Sequence, residues 1–338
     1  MADGKTNIPP AKGGTKGLRL AIDNQSQELV RRLQPLNLRD FLALDIKPRE
    51  MVMSPWLPEK GLTMIYAPRG IGKTLLGLSC AYAIAAGAGF LGWQAPRPRR
   101  VFYIDGEMPA APIQERLRAI EKRFHVELPD PDYLTLLSAD RTEYGLPDLC
   151  TEEGQTELDA AIGPDAEIIF VDNLSTLARS ARENEGDDWV PIQGWALAHR
   201  RGGRSVVMIH HAAKSGAQRG TSRREDVLDT VISLKRPDDY SADQGARFVV
   251  EFDKARGIWG DTALPFLAQY EERDGAALWT HTALKDVELL RVVELTRAGM
   301  SVRDIEEETD GRISKSKAHR LLQEARSRKM LDDLAVTA

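Results

Sequence analysis

The chain has 338 residues, 42% hydrophobic and 29% charged, with a formal net charge of -5 and a pI near 5.8. This is the composition of a globular protein with room for about two domains; it excludes a chain that is basic overall, though not a local basic surface. The two cysteines, Cys80 and Cys150, lack ligand spacing, which excludes a disulfide scaffold or a zinc finger and fits a reducing cytoplasm.

Residues 1–25 read as a disordered tail: the first seventeen are polar and rich in Gly, Pro and Lys, with none of the apolar core of a signal peptide. Residues 26–58 mix helix-forming stretches with Pro48, Pro55 and Pro58 and read as a lead-in arm. From Gly61 short apolar strands alternate with helix-like runs. Strands are expected at 62–66, 101–104, 134–137, 167–171 and 205–209, with later ones at 227–234 and 247–252 and an antiparallel partner among them. Helices are expected at 75–86, 112–124 and 189–200, the last with Trp189, Ile192, Trp195 and Leu197 as its apolar stripe. Ala81 to Leu91 is apolar but too short to span a bilayer, and it reads as buried helix. The alternation predicts an α/β fold with a mostly parallel twisted sheet over residues 26–280. Residues 281–338 read as a small all-α module of three short helices with a tight turn before the third, a helix-turn-helix pattern, winged-helix-like in kind.

Ala67-Pro68-Arg69-Gly70-Ile71-Gly72-Lys73-Thr74, followed by Leu75, fits the Walker A spacing, with alanine for the first glycine. Gly70 and Gly72 let the backbone turn its N–H groups toward phosphate, Lys73 supplies a point charge, and Thr74 offers a hydroxyl to Mg2+. A strand before and a helix after are the context this motif requires, and the start of that helix adds its dipole to the anion site. Asp172 ends the apolar run EIIFVD, the place of a carboxylate that orders the water of the metal. ATP and Mg2+ are therefore the expected ligands. Hydrolysis also needs a group to polarise the attacking water. Glu107, in YIDGEMP just after the second strand, is the candidate, and Asp105 is its competitor.

Taken together, APRGIGKT, YIDGEMP, EIIFVDNLS, VVMIHHAAKSGAQRGTSRREDVLD and FDKARGIWG resemble the RecA-like hexameric ATPases, above all the plasmid RepA-type replicative helicases and more distantly the DnaB type. The likeness covers about residues 50–270. It implies a RecA-like core that forms rings, with ATP between subunits. Glu107 takes the place of the catalytic glutamate and His211 that of the polar sensor of the γ-phosphate. Metal binding by His210 and His211 is the rival, but no third ligand has suitable spacing. Lys254 and Arg256 resemble the residues that reach the γ-phosphate of a neighbouring subunit, with Arg219 a second candidate. The resemblance places the loops after these strands in the central channel. That fits the basic, Gly/Ser-rich stretch with Lys214, Arg219, Arg223 and Arg224, which can follow single-stranded DNA without reading its sequence. It implies a motor of plasmid, phage or integrated-element type, without a membrane and with replication proteins as partners. The alternative is an ATPase that switches assembly without translocating. The chain departs from the RepA type by its C-terminal module, and from the DnaB type by having neither the helical collar nor a primase domain.

In the C-terminal module Val302, Ile305, Ile313, Leu321 and Leu322 are expected to pack inward. Lys315, Lys317, Arg320 and Arg326 are placed to meet DNA. The rival is a protein-docking bundle, which Glu306, Glu307 and Glu308 favour.

Overall fold

The computed structural model describes residues 35–180, 189–212, 226–309 and 311–331. The chain divides into two compact units, residues 1–48 and 49–338. In the first, a short helix α1 (Leu38–Leu42) starts at Asn37, whose side chain accepts from the Asp40 amide; Leu38, Phe41 and Leu42 are exposed. The expected tail lies outside the described residues.

The second unit opens with the antiparallel pair β1 (Met51–Met53) and β2 (Leu57–Pro58). The central strand β3 (Leu62–Ala67) leads into α2 (Lys73–Ala86), a hairpin of β4 (Gly89–Phe90) and β5 (Trp93–Gln94), then β6 (Val101–Asp105) and α3 (Ala110–Phe124). There follow β7 (Leu134–Ser138), α4 (Glu152–Ile162), β8 (Ile168–Asp172), α5 (Leu174–Leu177), α6 (Val190–Arg201) and β9 (Ser205–His211). Next come β10 (Thr230–Lys235), β11 (Arg247–Ala255), β12 (Phe266–Arg273) and β13 (Ala276–Ala283). The helices α7 (Leu284–Arg297), α8 (Val302–Glu308) and α9 (Lys315–Ser327) end the described chain.

Among the described residues one sheet runs β13-β12-β11-β10-β3-β9-β8-β6-β7. Its members from β10 to β7 are parallel, and β11, β12 and β13 continue it antiparallel. The α/β core with a mostly parallel sheet expected from the sequence is the fold observed. The parallel strands β3, β6, β8 and β9 are buried on both faces, which is why they read as unbroken apolar runs, whereas β7 at the sheet's edge is half-exposed. Ile65, Phe170, Val207 and Ile209 face the core that holds α2 and Ile113 and Ile120 of α3; Met64, Ile104, Val171 and Met208 face the core that holds Leu158 of α4 and Trp195 of α6. Helix α2 is buried almost all round, so it carries no polar face for periodicity to detect.

Three boundaries differ from the expectations. The apolar run 81–91 leaves its helix at Gly87, where a left-handed φ of 67° closes the last turn, and then enters β4. Strand β10 begins at Thr230 rather than at residue 227. Before it, the buried Asp229 carboxylate accepts from the Leu62 amide and pairs with Arg49 and Arg200. Sheet pairing runs through Ala283, so the helical module starts at Leu284.

That module has its own apolar core, formed by Leu289, Val292, Ile305, Ile313, Ala318 and Leu321 with their neighbours. Val302 and Leu322 are partly buried against it. Among the described residues no helix is long and apolar enough to cross a membrane.

Candidate functional site

The parallel register brings the C-terminal ends of four strands level. Ala67 of β3 pairs with His211 of β9, while Asp172 of β8 pairs with both Ile209 of β9 and Asp105 of β6. The crevice beyond the carboxyl ends of parallel strands is where open α/β sheets bind ligands, and the expected residues of the phosphate chemistry converge there.

The loop 68–72 passes from β3 into α2 with φ of 73° at Gly70 and 114° at Gly72. A Cβ on Gly72 would stand 2.9 Å from the Ala246 Cβ and 3.3 Å from the Phe248 ring, so glycine is demanded twice over there. Ile71 pins the loop to the core, being 1% exposed, and Leu75 is buried behind it; Arg69 and Gly70 face solvent. Pro68 and Ala67 act through their carbonyls, which accept from Lys73 Nζ at 2.8 and 3.1 Å. Burial lowers the Lys73 amine to about 8, against the pull of Asp172 and Glu107; Arg69 lowers it further.

Asp172 is buried beside Lys73. Its carboxylate accepts from Tyr103 Oη at 2.7 Å and from the Thr74 hydroxyl. Burial pushes its carboxyl up to about 6, while the Tyr103 and Thr74 hydrogen bonds oppose the rise. A hydroxyl and a carboxylate side by side, all oxygen and adjoining a phosphate loop, suit a hard cation such as Mg2+. Thr74 is the candidate direct ligand, with Asp172 behind it.

Asp105 and Glu107, the two rivals for the water, have different surroundings. Asp105 is buried and accepts from the backbone amides of Glu107 and Met108 at 3.1 and 2.7 Å. Its carboxylate thus shapes the turn that projects Glu107. The Glu107 side chain is 54% exposed and held by two neighbours: Asn173 Nδ2 donates to Oε2, and His211 Nε2 lies 3.5 Å from the same oxygen. Asn173 is itself fixed, because its Oδ1 caps α5 by accepting from the Thr176 amide at 3.2 Å. Burial lowers the His211 imidazole below its ordinary value; Lys73 and Arg69 act in the same sense and Glu107 against it.

Lys254 and Arg256 stand elsewhere. Strand β11 runs antiparallel, so its end lies at the opposite end of the sheet: Lys254 pairs with Val231, which is level with Met64, three residues before Ala67. Arg256 Nη2 donates to the Asp226 carbonyl at 3.0 Å, and Lys254 Nζ reaches the same carbonyl at 3.5 Å. Neither meets the phosphate loop of its own chain. Lys214, Arg219, Arg223 and Arg224 lie outside the described residues. In the C-terminal module Lys317 bonds Glu288 at 2.6 Å and Lys315 lies 3.7 Å from Glu306, whereas Arg320 is exposed.

Three site residues escaped the sequence reading. Tyr103 and Asn173 sit within or beside motifs already singled out, but only register and the start of α5 show that they reach Asp172 and Glu107. Arg236, after β10, donates to the Gly70 carbonyl at 3.0 Å while its guanidinium lies 3.7 Å over the Tyr240 ring. No motif signals it.

No curated protein matches the sequence. Solved structures similar to the chain include the RadB recombinase, 15% identical, with a TM-score of 0.44 over 64% of this chain and 89% of that one. Another is the flagellar accessory protein FlaH from Methanocaldococcus jannaschii, 12% identical, with a TM-score of 0.44 over 66% of this chain and 90% of that one. The sequence matches the AAA_25 family, an AAA domain, over residues 26–217, a span holding the phosphate loop, Glu107, Asp172 and His211. With that span and the P-loop geometry in agreement, the chain belongs to the AAA_25 family of P-loop ATPases.

Proposed function

We propose that this protein hydrolyses ATP with Mg2+ and uses the cycle to move along single-stranded DNA as a ring, unwinding duplex ahead of it as a replicative helicase does. The observation that carries hydrolysis is the convergence of Lys73, Thr74, Asp172, Glu107 and His211 at one sheet edge. In that reading the loop amides and Lys73 hold the phosphates, and Thr74 and Asp172 place the cation, which neutralises charge between them. Glu107 polarises the attacking water. It is the one carboxylate of the three that is neither buried nor spent on the backbone, and Asn173 and His211 aim it.

The position of Lys254 and Arg256 supports assembly. Lying at the other end of the sheet from their own phosphate loop, they act on a γ-phosphate only in a second copy, stabilising the charge that develops in transfer. A hexamer is the expected closure, and the basic segment 214–224 the expected DNA contact. The second reading, an ATPase that switches assembly at a replication origin without translocating, shares the whole site chemistry.

The test is ATP hydrolysis with and without single-stranded DNA in wild type, Lys73→Ala and Arg256→Ala. DNA stimulation that is lost in both variants and partly regained on mixing them supports the ring motor. Hydrolysis indifferent to DNA refutes the motor and leaves the switch.

A further inference from the structure

The C-terminal helices contain a surface that hydrolysis does not use. Helix α9 starts at Ser314, whose hydroxyl caps it by accepting from the Lys317 amide. It buries Ala318, Leu321 and Ala325 on one side. The opposite side is a stripe at helical spacing: Ser316, His319, Arg320, Gln323 and Ser327, all exposed. Among the described residues the side chains of His319, Arg320 and Gln323 have no hydrogen-bond or ion-pair partner. The basic residues around them are largely spoken for: Lys317 bonds Glu288, and Arg328 bonds Asp286 at 2.9 Å.

The charge left unpaired on this surface is positive. Of the seven Lys or Arg in residues 311–329, Lys315, Lys317 and Arg328 face Glu306, Glu288 and Asp286, while Arg320 on the stripe and Arg326 at its flank have no carboxylate partner among the described residues, so the unopposed charge of this side is positive. The acids of α8, which favour a protein-docking bundle, are largely engaged within the module. Glu306 accepts from the Lys315 amide at 3.2 Å, Glu308 lies 3.8 Å from Arg291, and Asp304 closes a capping box with Ser301. The turn between α8 and α9 is fixed too: Thr309 Oγ1 donates to the Ile305 carbonyl at 2.7 Å and accepts from the Ile313 amide at 3.2 Å. The stripe is thus presented on a braced helix backed by its own apolar core.

We infer that α9 is a recognition helix for duplex DNA, with Arg320 and Gln323 reading base edges in the major groove, His319 and Ser316 beside them, and Lys315 and Arg326 on the flanking phosphates. The side chains fit that ligand: a guanidinium matches the two acceptors of guanine, and a carboxamide matches the donor and acceptor of adenine. Lysines alone would give a phosphate contact without a sequence. The module thereby addresses a particular duplex site, a role separate from any sequence-blind grip on single strands and independent of nucleotide turnover.

The experiment is selection of bound duplexes from a library with a randomised centre, using the full chain, in parallel with its Lys73→Ala, Arg320→Lys, Arg320→Ala and Gln323→Ala variants. Wild type and Lys73→Ala should enrich the same motif, which keeps this outcome apart from that of the hydrolysis test. On the enriched duplex, Arg320→Ala and Gln323→Ala should each weaken binding about 5- to 150-fold. Arg320→Lys should keep non-specific binding and lose discrimination at one base pair. Four outcomes overturn the assignment: no motif enriches, the motif is unchanged in the Arg320 and Gln323 variants, single strands compete as well as the enriched duplex, or the Arg320 face retains a protein partner while duplex binding is unaffected by its loss.

Discussion

Tyr103→Phe isolates the interaction that holds the buried carboxylate of the cation site. The Tyr103 hydroxyl donates to Asp172 Oδ2 at 2.7 Å inside the protein, where both residues are no more than 2% exposed. Phenylalanine keeps the ring and its stack on Phe170 at 5.5 Å, so no cavity forms and the change removes one charge-assisted hydrogen bond. Such a bond contributes about 1.5–3 kcal/mol, and its acceptor has no route to bulk water when the donor goes. Asp172 keeps the Thr74 hydroxyl and the Lys73 charge, so the loss should lie within that range and not above it. Chemical denaturation of wild type, Tyr103→Phe, Asp172→Leu and the double variant measures the term as a cycle. Tyr103→Phe should cost about 1.5–3 kcal/mol in the wild-type background and under about 0.5 kcal/mol in the Asp172→Leu background, where no acceptor remains. An equal loss in both backgrounds would refute the claim that the hydroxyl works through Asp172.

Other consequences can be checked directly. Glu107→Gln should retain ATP binding in a fluorescent-nucleotide titration and slow hydrolysis about 10²- to 10⁴-fold; a smaller loss would return the role to Asp105. Gly72→Ala must place its Cβ 2.9 Å from Ala246 at a φ of 114°, so it should cost about 1–3 kcal/mol in unfolding and abolish nucleotide binding. Normal binding by that variant would move the phosphate site elsewhere. The buried His199, 3.0 Å from Asp159, has its imidazole lowered by burial. On acidification the unfolded chain takes up this proton first, so the stability it carries is present above about pH 6.5 and declines as pH falls from there through the folded value. Unfolding midpoints measured from pH 7 to pH 5 should therefore drop more in wild type than in His199→Gln, and parallel curves would count against this sign.

The parallel core was legible because its strands are apolar on both faces and its signatures lie at strand ends, where sequence order and spatial order agree. What the sequence hid is what register creates. Asp105 looks as able as Glu107 to activate water; only the turn, with two backbone amides pointing at Asp105, separates them. Tyr103 reads as one more apolar strand residue, since nothing local says that its hydroxyl ends at a carboxylate 69 positions away. The hairpin of β12 and β13 was a missed signal. Asp274 and Gly275, with φ of 53° and 70°, form the two-residue turn that an Asp-Gly pair announces between apolar runs. Helix α4, capped by Thr151, was also readable from its cap and its acidic first turn.

Arg236 shows how far the phosphate loop extends into the rest of the chain. Its guanidinium holds the Gly70 carbonyl with one nitrogen and the Gly245 and Arg247 carbonyls with the other. The loop between β10 and β11 is therefore tied at both of its ends to the residue that shapes the phosphate turn. Within that loop Asp239 pairs with Arg247 at 2.9 Å, and that hydrogen bond holds its carboxyl below the usual range, with Arg312 of the C-terminal module acting in the same sense. Charge in the phosphate crevice and charge beside α9 thus meet on one loop of about ten residues. Because one guanidinium spans the Gly70, Gly245 and Arg247 carbonyls, Arg236→Ala removes three hydrogen bonds at once and separates the phosphate turn from the loop that holds Asp239.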